Sequence, residues 1–126
     1  MEREKQKYTI LYARLSEEDA RQGKSLSIEH QEKMLRDRAT EENLSNVLFL
    51  FDDGITGVKT DRENFTKVMS MISNGEVSTL IVTDLGRLYR NQDRANHLME
   101  ILFPSLGVRF ISILEHYDTK TNTPSD

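Results

Sequence analysis

An arginine and a serine two residues apart close an apolar run near the amino terminus, in Tyr12-Ala13-Arg14-Leu15-Ser16. Residues two apart on an extended strand face the same side, so Arg14 and Ser16 could approach one phosphate together. A serine hydroxyl is a weak nucleophile at its free pKa and needs a base or strong electrostatic help. The same residues also fit a helix start. Ser16 is followed by Glu17, Glu18 and Asp19, as an N-cap is followed by an acid three residues on.

A second segment, Asp84-Leu85-Gly86-Arg87-Leu88-Tyr89-Arg90-Asn91, puts two arginines three residues apart. On a helix beginning near Arg87 they would share a face at its positive end, where backbone N–H groups already favour an anion. Their guanidiniums would add paired donors matched to phosphate oxygens. A solvated helix start with arginines paired to Asp84 and Asp93 is the plainer alternative. The third segment is Phe51-Asp52-Asp53-Gly54-Ile55-Thr56-Gly57 with Thr60-Asp61-Arg62. Its glycines mark a loop, from which Arg62 could reach the same place, or whose acids could simply pair nearby lysines. Arginines from three segments around one hydroxyl would suit phosphoryl transfer, which depends on positioning and charge neutralisation and can proceed without a metal. His30, His97 and His116 are scattered without ligand spacing, and cysteine is absent. No Gly-rich phosphate loop follows the first apolar run, so nucleotide binding has no support.

Four apolar, β-branched-rich runs would have to position these groups: Tyr8–Leu15, Val47–Asp52, Thr79–Thr83 and Val108–Leu114. Helical patterns separate them. Ile28–Glu42 places Ile28, Leu35 and Ala39 on one face, and Asp61–Asn74 repeats Phe65, Val68, Met69 and Ile72. Thr60 with Glu63 reads as a capping box there, and Gly75 as its C-terminal cap. Asp93–Phe103 is the third helix, with Ala95, Leu98, Met99 and Leu102 inward and Pro104 and Gly107 ending it. Strand–helix alternation implies an α/β fold, a mainly parallel central sheet of four to five strands flanked by helices. Ligands on such sheets sit beyond the carboxyl ends of the strands, which here carry Arg14–Ser16, Asp52–Asp53 and Asp84–Arg90.

A length of 126 residues suits one domain with one core. Hydrophobic residues are 37% and charged residues 30%, a globular balance, and no apolar run approaches the roughly 20 residues that cross a bilayer. The charged stretch Met1–Lys7 has no apolar core after it and does not read as a secretory signal. The formal net charge is −4, whereas a domain that held DNA by itself would be basic. Residues 115–126 are polar and aperiodic, and are expected to be a tail or linker start of a domain excised from a longer chain.

These segments, in this order, resemble the resolvase/invertase catalytic domain of serine recombinases, most nearly the large serine recombinases of bacterial mobile elements. The matching pieces are Tyr-Ala-Arg-Leu-Ser at 12–16, Ser-Ile-Glu-His-Gln at 27–31 and Asp-Asp-Gly-Ile-Thr-Gly at 52–57. Thr-Asp-Arg at 60–62, Gly-Arg-Leu-Tyr-Arg-Asn at 86–91 and Gly-Val-Arg-Phe-Ile at 107–111 complete the set. The resemblance implies site-specific DNA recombination in the bacterial cytoplasm, for transposition, integration or excision of a mobile element. Ser16 would form a 5′-phosphoserine link, Arg14, Arg87 and Arg90 would hold the scissile phosphate, and Arg62 would be a further phosphate contact. Gln31, Asp53 and Asp84 would support the site. It implies no metal or other cofactor, no membrane, and DNA as partner to a homodimer that pairs into a synaptic homotetramer. Many relatives carry an aspartate where this chain has Gly86, and the dimer helix and DNA-binding region would lie beyond Asp126. The fragment alone is therefore expected to associate weakly and cleave poorly. Two other readings are a recombinase-like assembly domain without catalysis and a receiver-like module with an acidic pair for Mg²⁺ and an aspartate that takes phosphate, which Asp52-Asp53 and Asp84 invite. Arg14 and Ser16 stand where that last class keeps its acidic pair.

Overall fold

The computed structural model describes residues 6–15, 27–53, 62–89 and 91–121. Strand β1 is Tyr8–Leu15, buried on both faces from Thr9 to Arg14, as a central parallel strand must be. Helix α1 is Ile28–Glu41; the Ser27 hydroxyl caps it by accepting from the His30 N–H at 3.0 Å. It ends on Asn43 in the left-handed region (φ 57°), with the Leu44 N–H returning to the Ala39 carbonyl. Strand β2 is Val47–Asp53 and helix α2 is Glu63–Ser73. Gly75 closes α2 at φ 75°, its N–H on the Ile72 carbonyl and that of Glu76 on Met71, as its place after the apolar repeat predicts. Strand β3 is Val77–Val82, followed by a single 3₁₀ turn, Leu85–Arg87.

The third helix departs from its expected form. An α-helical turn, Gln92–His97, passes into a π-helical stretch, Leu98–Leu102, and closes with Phe103–Ser105; together these are α3. The Asn91 side chain caps its start by accepting from the Arg94 N–H at 3.0 Å. Arg87 therefore lies in a separate turn ahead of the helix, not at its amino end. Strand β4 is Arg109–Ser112, and Tyr117–Asp118 forms β5.

The sheet order is β2-β1-β3-β4-β5, parallel except for β5, which runs antiparallel to β4. This is the expected α/β architecture. Helix α1 covers one face through Leu35 and Ala39 on Leu11, Ala13, Ile81 and Ile111. Helices α2 and α3 cover the other, where Phe65, Val68, Ile72, Leu98, Met99 and Phe103 pack on Ile10, Tyr12, Leu80, Val82 and Phe110. The polar tail expected from residue 115 begins instead with structure. Asp118 is buried and accepts two bonds from Arg109, at 3.0 and 2.6 Å, and Arg109 also reaches Glu42 at 2.8 Å. A buried carboxylate needs such donors, and they pull β5 against the sheet. Residues 122–126 lie outside the described residues. Among those described, no helix is long and apolar enough to cross a membrane.

Candidate active site

Strand β1 leads outward to β2 on one side, and the chain then crosses to β3 on the other side of β1. The strand order therefore reverses between β1 and β3, the place where open α/β sheets form a crevice. Pairing of β1 with β3 stops at Leu11↔Ile81, whereas pairing with β2 continues to Leu15↔Asp53. The end of β1 thus loses its neighbour just where Arg14 lies.

Two side chains replace that neighbour. The Gln31 carboxamide, fully buried, accepts from the Arg14 N–H at 3.2 Å and donates to the Arg14 carbonyl at 3.0 Å. A primary amide offers the same donor–acceptor pair as a peptide, so Gln31 acts as a one-residue strand. Arg87 reaches across from the other side and donates from Nη1 to the same carbonyl at 2.7 Å. Arg87 is only 5% exposed and Arg14 9%, so both cations sit in the sheet end and not on the surface.

Carboxylates and hydroxyls orient the Arg87 turn. Asp84 Oδ1 accepts from Arg87 Nε and from the Thr83 hydroxyl, each at 2.9 Å. A Cβ added at Gly86 would lie 3.1 Å from Asp84 Oδ2. Gly86 is not in the left-handed region, so what glycine provides here is room for the Asp84 carboxylate. Glu115 accepts from the Leu85 N–H at 3.1 Å and from the buried Ser112 hydroxyl, joining the turn to the end of β4.

The second tier lies under α2. Asp52 is buried and accepts from the Asn64 and Phe65 N–H groups, each at 2.8 Å, and from the Tyr12 hydroxyl at 2.6 Å. It caps α2 from another strand. Helix α2 starts at Glu63 with Arg62 as its N-cap residue, which makes no side-chain cap bond. The expected capping box involves Thr60, which lies outside the described residues. Burial, helped by the Asp52 bond, raises the Tyr12 pKa, so Tyr12 remains a protonated donor.

Arg62, expected as a further phosphate contact, meets a turn and a tyrosine among the described residues. Its Nη2 donates to the Arg87 carbonyl at 2.7 Å and to the Tyr12 hydroxyl at 3.4 Å, and its Nη1 donates to the Leu88 carbonyl. Its guanidinium lies 3.9 Å above the Phe65 ring.

Of the expected site residues, the fold gathers Arg14, Gln31, Asp84, Arg87 and Arg62 around the β1–β3 end. Asp53 is half-buried at the end of β2, opposite Leu15. Ser16 and Arg90 lie outside the described residues, as does the Ser16 helix-cap alternative. Asp52, Tyr12, Ser112 and Glu115 were missed as supports. A buried tyrosine and a strand-end acid were visible signals, but nothing local pairs residues 40 apart.

The sequence and the fold both have relatives among known proteins. A family model described as "Resolvase, N terminal domain" matches residues 9–126. The chain is 33% identical over 75 residues to the transposon Tn917 resolvase of Enterococcus faecalis, covering 58% of this chain and 38% of that one. It is 36% identical over 72 residues to a DNA-invertase of Enterobacteria phage P7, covering 57% and 37%. The matched stretch thus spans less than two fifths of either relative. Among solved structures, the N-terminal catalytic domain of TP901-1 integrase superposes with a TM-score of 0.73 at 26% identity, covering 92% of this chain and 84% of that one. A serine recombinase from Sulfolobus solfataricus superposes with a TM-score of 0.61 at 28% identity, covering 86% and 69%.

Proposed function

We infer that this chain, which belongs to the resolvase N-terminal domain family, is the catalytic domain of a serine site-specific DNA recombinase. The observation that carries the reading is the 2.7 Å bond from Arg87 to the Arg14 carbonyl. It brings the arginine of one motif against the backbone of the other, two residues before Ser16. Guanidiniums gathered in a low-dielectric sheet end are suited to neutralise a phosphate whose charge grows in the transition state.

The Ser16 oxygen attacks the DNA phosphorus, its proton leaves, and the P–O3′ bond breaks. The 3′ oxygen departs as a hydroxyl and the 5′ phosphate stays on serine. Rejoining is the reverse, with a 3′ hydroxyl attacking the phosphoserine, so the bond energy is conserved and no nucleotide is consumed. Arg14, Arg87 and Arg90 hold the phosphate oxygens. Gln31 and Asp84 hold Arg14 and Arg87 in place, and Asp53 flanks the crevice. The net charge of −4 argues that other segments of the full-length protein supply most of the DNA affinity. Those segments also carry the dimer and synaptic tetramer contacts, and the protein works on bacterial cytoplasmic DNA of a mobile element.

The test uses the full-length natural protein. It is mixed with DNA carrying candidate sites, quenched in denaturant, and assayed for protein attached to a 5′ end. An adduct lost in Ser16→Ala supports the reading. A site that is bound and synapsed without an adduct overturns it in favour of a non-catalytic assembly domain.

A further inference from the structure

We propose that Arg62 is a positioning residue: it fixes the Arg87 turn through backbone carbonyls and does not bind the DNA phosphate. The inference rests on the recombinase reading and specifies how one of its arginines acts.

The turn Leu85–Arg87 ends without a helix after it, because α3 begins only at Gln92. Among the described residues, no following N–H group donates to the carbonyls of Arg87 and Leu88, and the end of a turn carries partial negative charge. Arg62 meets both carbonyls with its two terminal nitrogens, Nη2 on Arg87 at 2.7 Å and Nη1 on Leu88. It acts as a C-terminal cap supplied from a different element. Its face is occupied as well, by Phe65 at 3.9 Å, Tyr89 at 5.4 Å and Tyr12 at 6.0 Å. Its Nε is buried and makes no hydrogen bond among the described residues, so it is not open to a phosphate.

The backbone that holds Arg62 is itself fixed. Arg62 is the N-cap residue of α2, and the first N–H groups of that helix are on Asp52, which also holds Tyr12. Tyr12 in turn accepts from Arg62 at 3.4 Å. The ends of β1 and β2, the start of α2 and the Arg87 turn thus share one set of bonds. Arg62 is the member that touches the main chain of the arginine reaching Arg14. Lysine carries the same charge but has no planar fork to span two carbonyls.

The test measures the full-length protein on a short duplex with its site. Two quantities are read: the rate of covalent adduct formation at saturating DNA, and the dissociation constant across a salt series. Arg62→Ala and Arg62→Lys are both expected to slow adduct formation, on the order of 100-fold for a displaced catalytic group. The slope of log affinity against log salt is expected to match the parent protein. A phosphate contact would instead lower that slope by about 0.9 in Arg62→Ala. Such a fall, or an adduct rate at the parent level in either variant, overturns the proposal. Should Arg62→Ala fail to fold, Arg62→Lys decides by the same two readings. A parent protein that forms no adduct would sink the recombinase reading, and the salt slopes would still decide whether Arg62 meets phosphate.

Discussion

The Tyr12 hydroxyl donates a 2.6 Å hydrogen bond to the Asp52 carboxylate, and both groups are buried between β1, β2 and the start of α2. Asp52 also takes two N–H groups of α2, so one carboxylate joins a strand pair to a helix. Asp52→Ala removes the cap and leaves Tyr12 buried without its acceptor, a loss of about 2–4 kcal/mol. Tyr12→Phe leaves the cap intact and is expected to cost less, about 1–2 kcal/mol. Urea denaturation of the two variants measures this order. Equal losses would mean that the carboxylate holds α2 only with the tyrosine in place.

Gln31 makes a reciprocal pair with the Arg14 backbone. Gln31→Leu keeps roughly the volume but leaves a buried N–H without its acceptor and removes one donor from a carbonyl. About 2–3 kcal/mol should be lost. Gln31→Glu keeps the acceptor but at neutral pH sets a buried carboxylate oxygen against the Arg14 carbonyl. Its loss should be at least as large and should shrink at acid pH, where a carboxylic acid can donate. Equilibrium unfolding ranks them, and a Leu variant as stable as the parent would show that the strand end needs no surrogate partner.

Gly86 and Asp84 should be energetically coupled, because a Cβ at residue 86 would come within 3.1 Å of Asp84 Oδ2. Gly86→Ala shifts the carboxylate that holds Arg87 Nε, and adduct formation by the full-length protein should fall about tenfold, the equivalent of about 1.4 kcal/mol. In Asp84→Ala that carboxylate is already gone. Adding Gly86→Ala to Asp84→Ala should then change the rate little further, which a double-mutant cycle reads directly. Strictly additive losses would remove the steric link.

Acid should loosen the β5 return. Hydrogen bonds from Arg109 hold the Glu42 carboxyl below its ordinary value. Burial would raise Asp118, but bonds from Arg109 and from the Lys120 N–H outweigh it and lower it. Carboxyls that titrate lower when folded bind fewer protons folded than unfolded. Their contribution is fully present above the unfolded carboxylate range near pH 4 and fades as pH falls through the lower folded values. Asp118→Asn should flatten the acid limb of a stability–pH profile, and an unchanged limb would assign it to other carboxyls.

How much of this was legible in advance depended on range along the chain. β1 has the expected bounds, Tyr8–Leu15, because a run of eight residues buried on both faces announces itself by composition. The α2 repeat and the Gly75 cap were readable because helical spacing and a positive φ are local demands. The strand ends near Arg14 and Arg87 were likewise readable, since alternating strands and helices leave few ways to wind a sheet. What only the tertiary structure decided is where each side chain ends. Nothing local shows that the Arg62 fork meets the carbonyls of residues 25 and 26 positions away. Asp52 looked like a loop acid until α2 was laid over it, and residues 117–118 looked like tail until Arg109 drew Asp118 in. Periodicity and caps arise from neighbours within a turn or two, so sequence carries them. Hydrogen-bond partners of a buried charge are chosen by which elements the packed core brings together, and no local pattern encodes that choice.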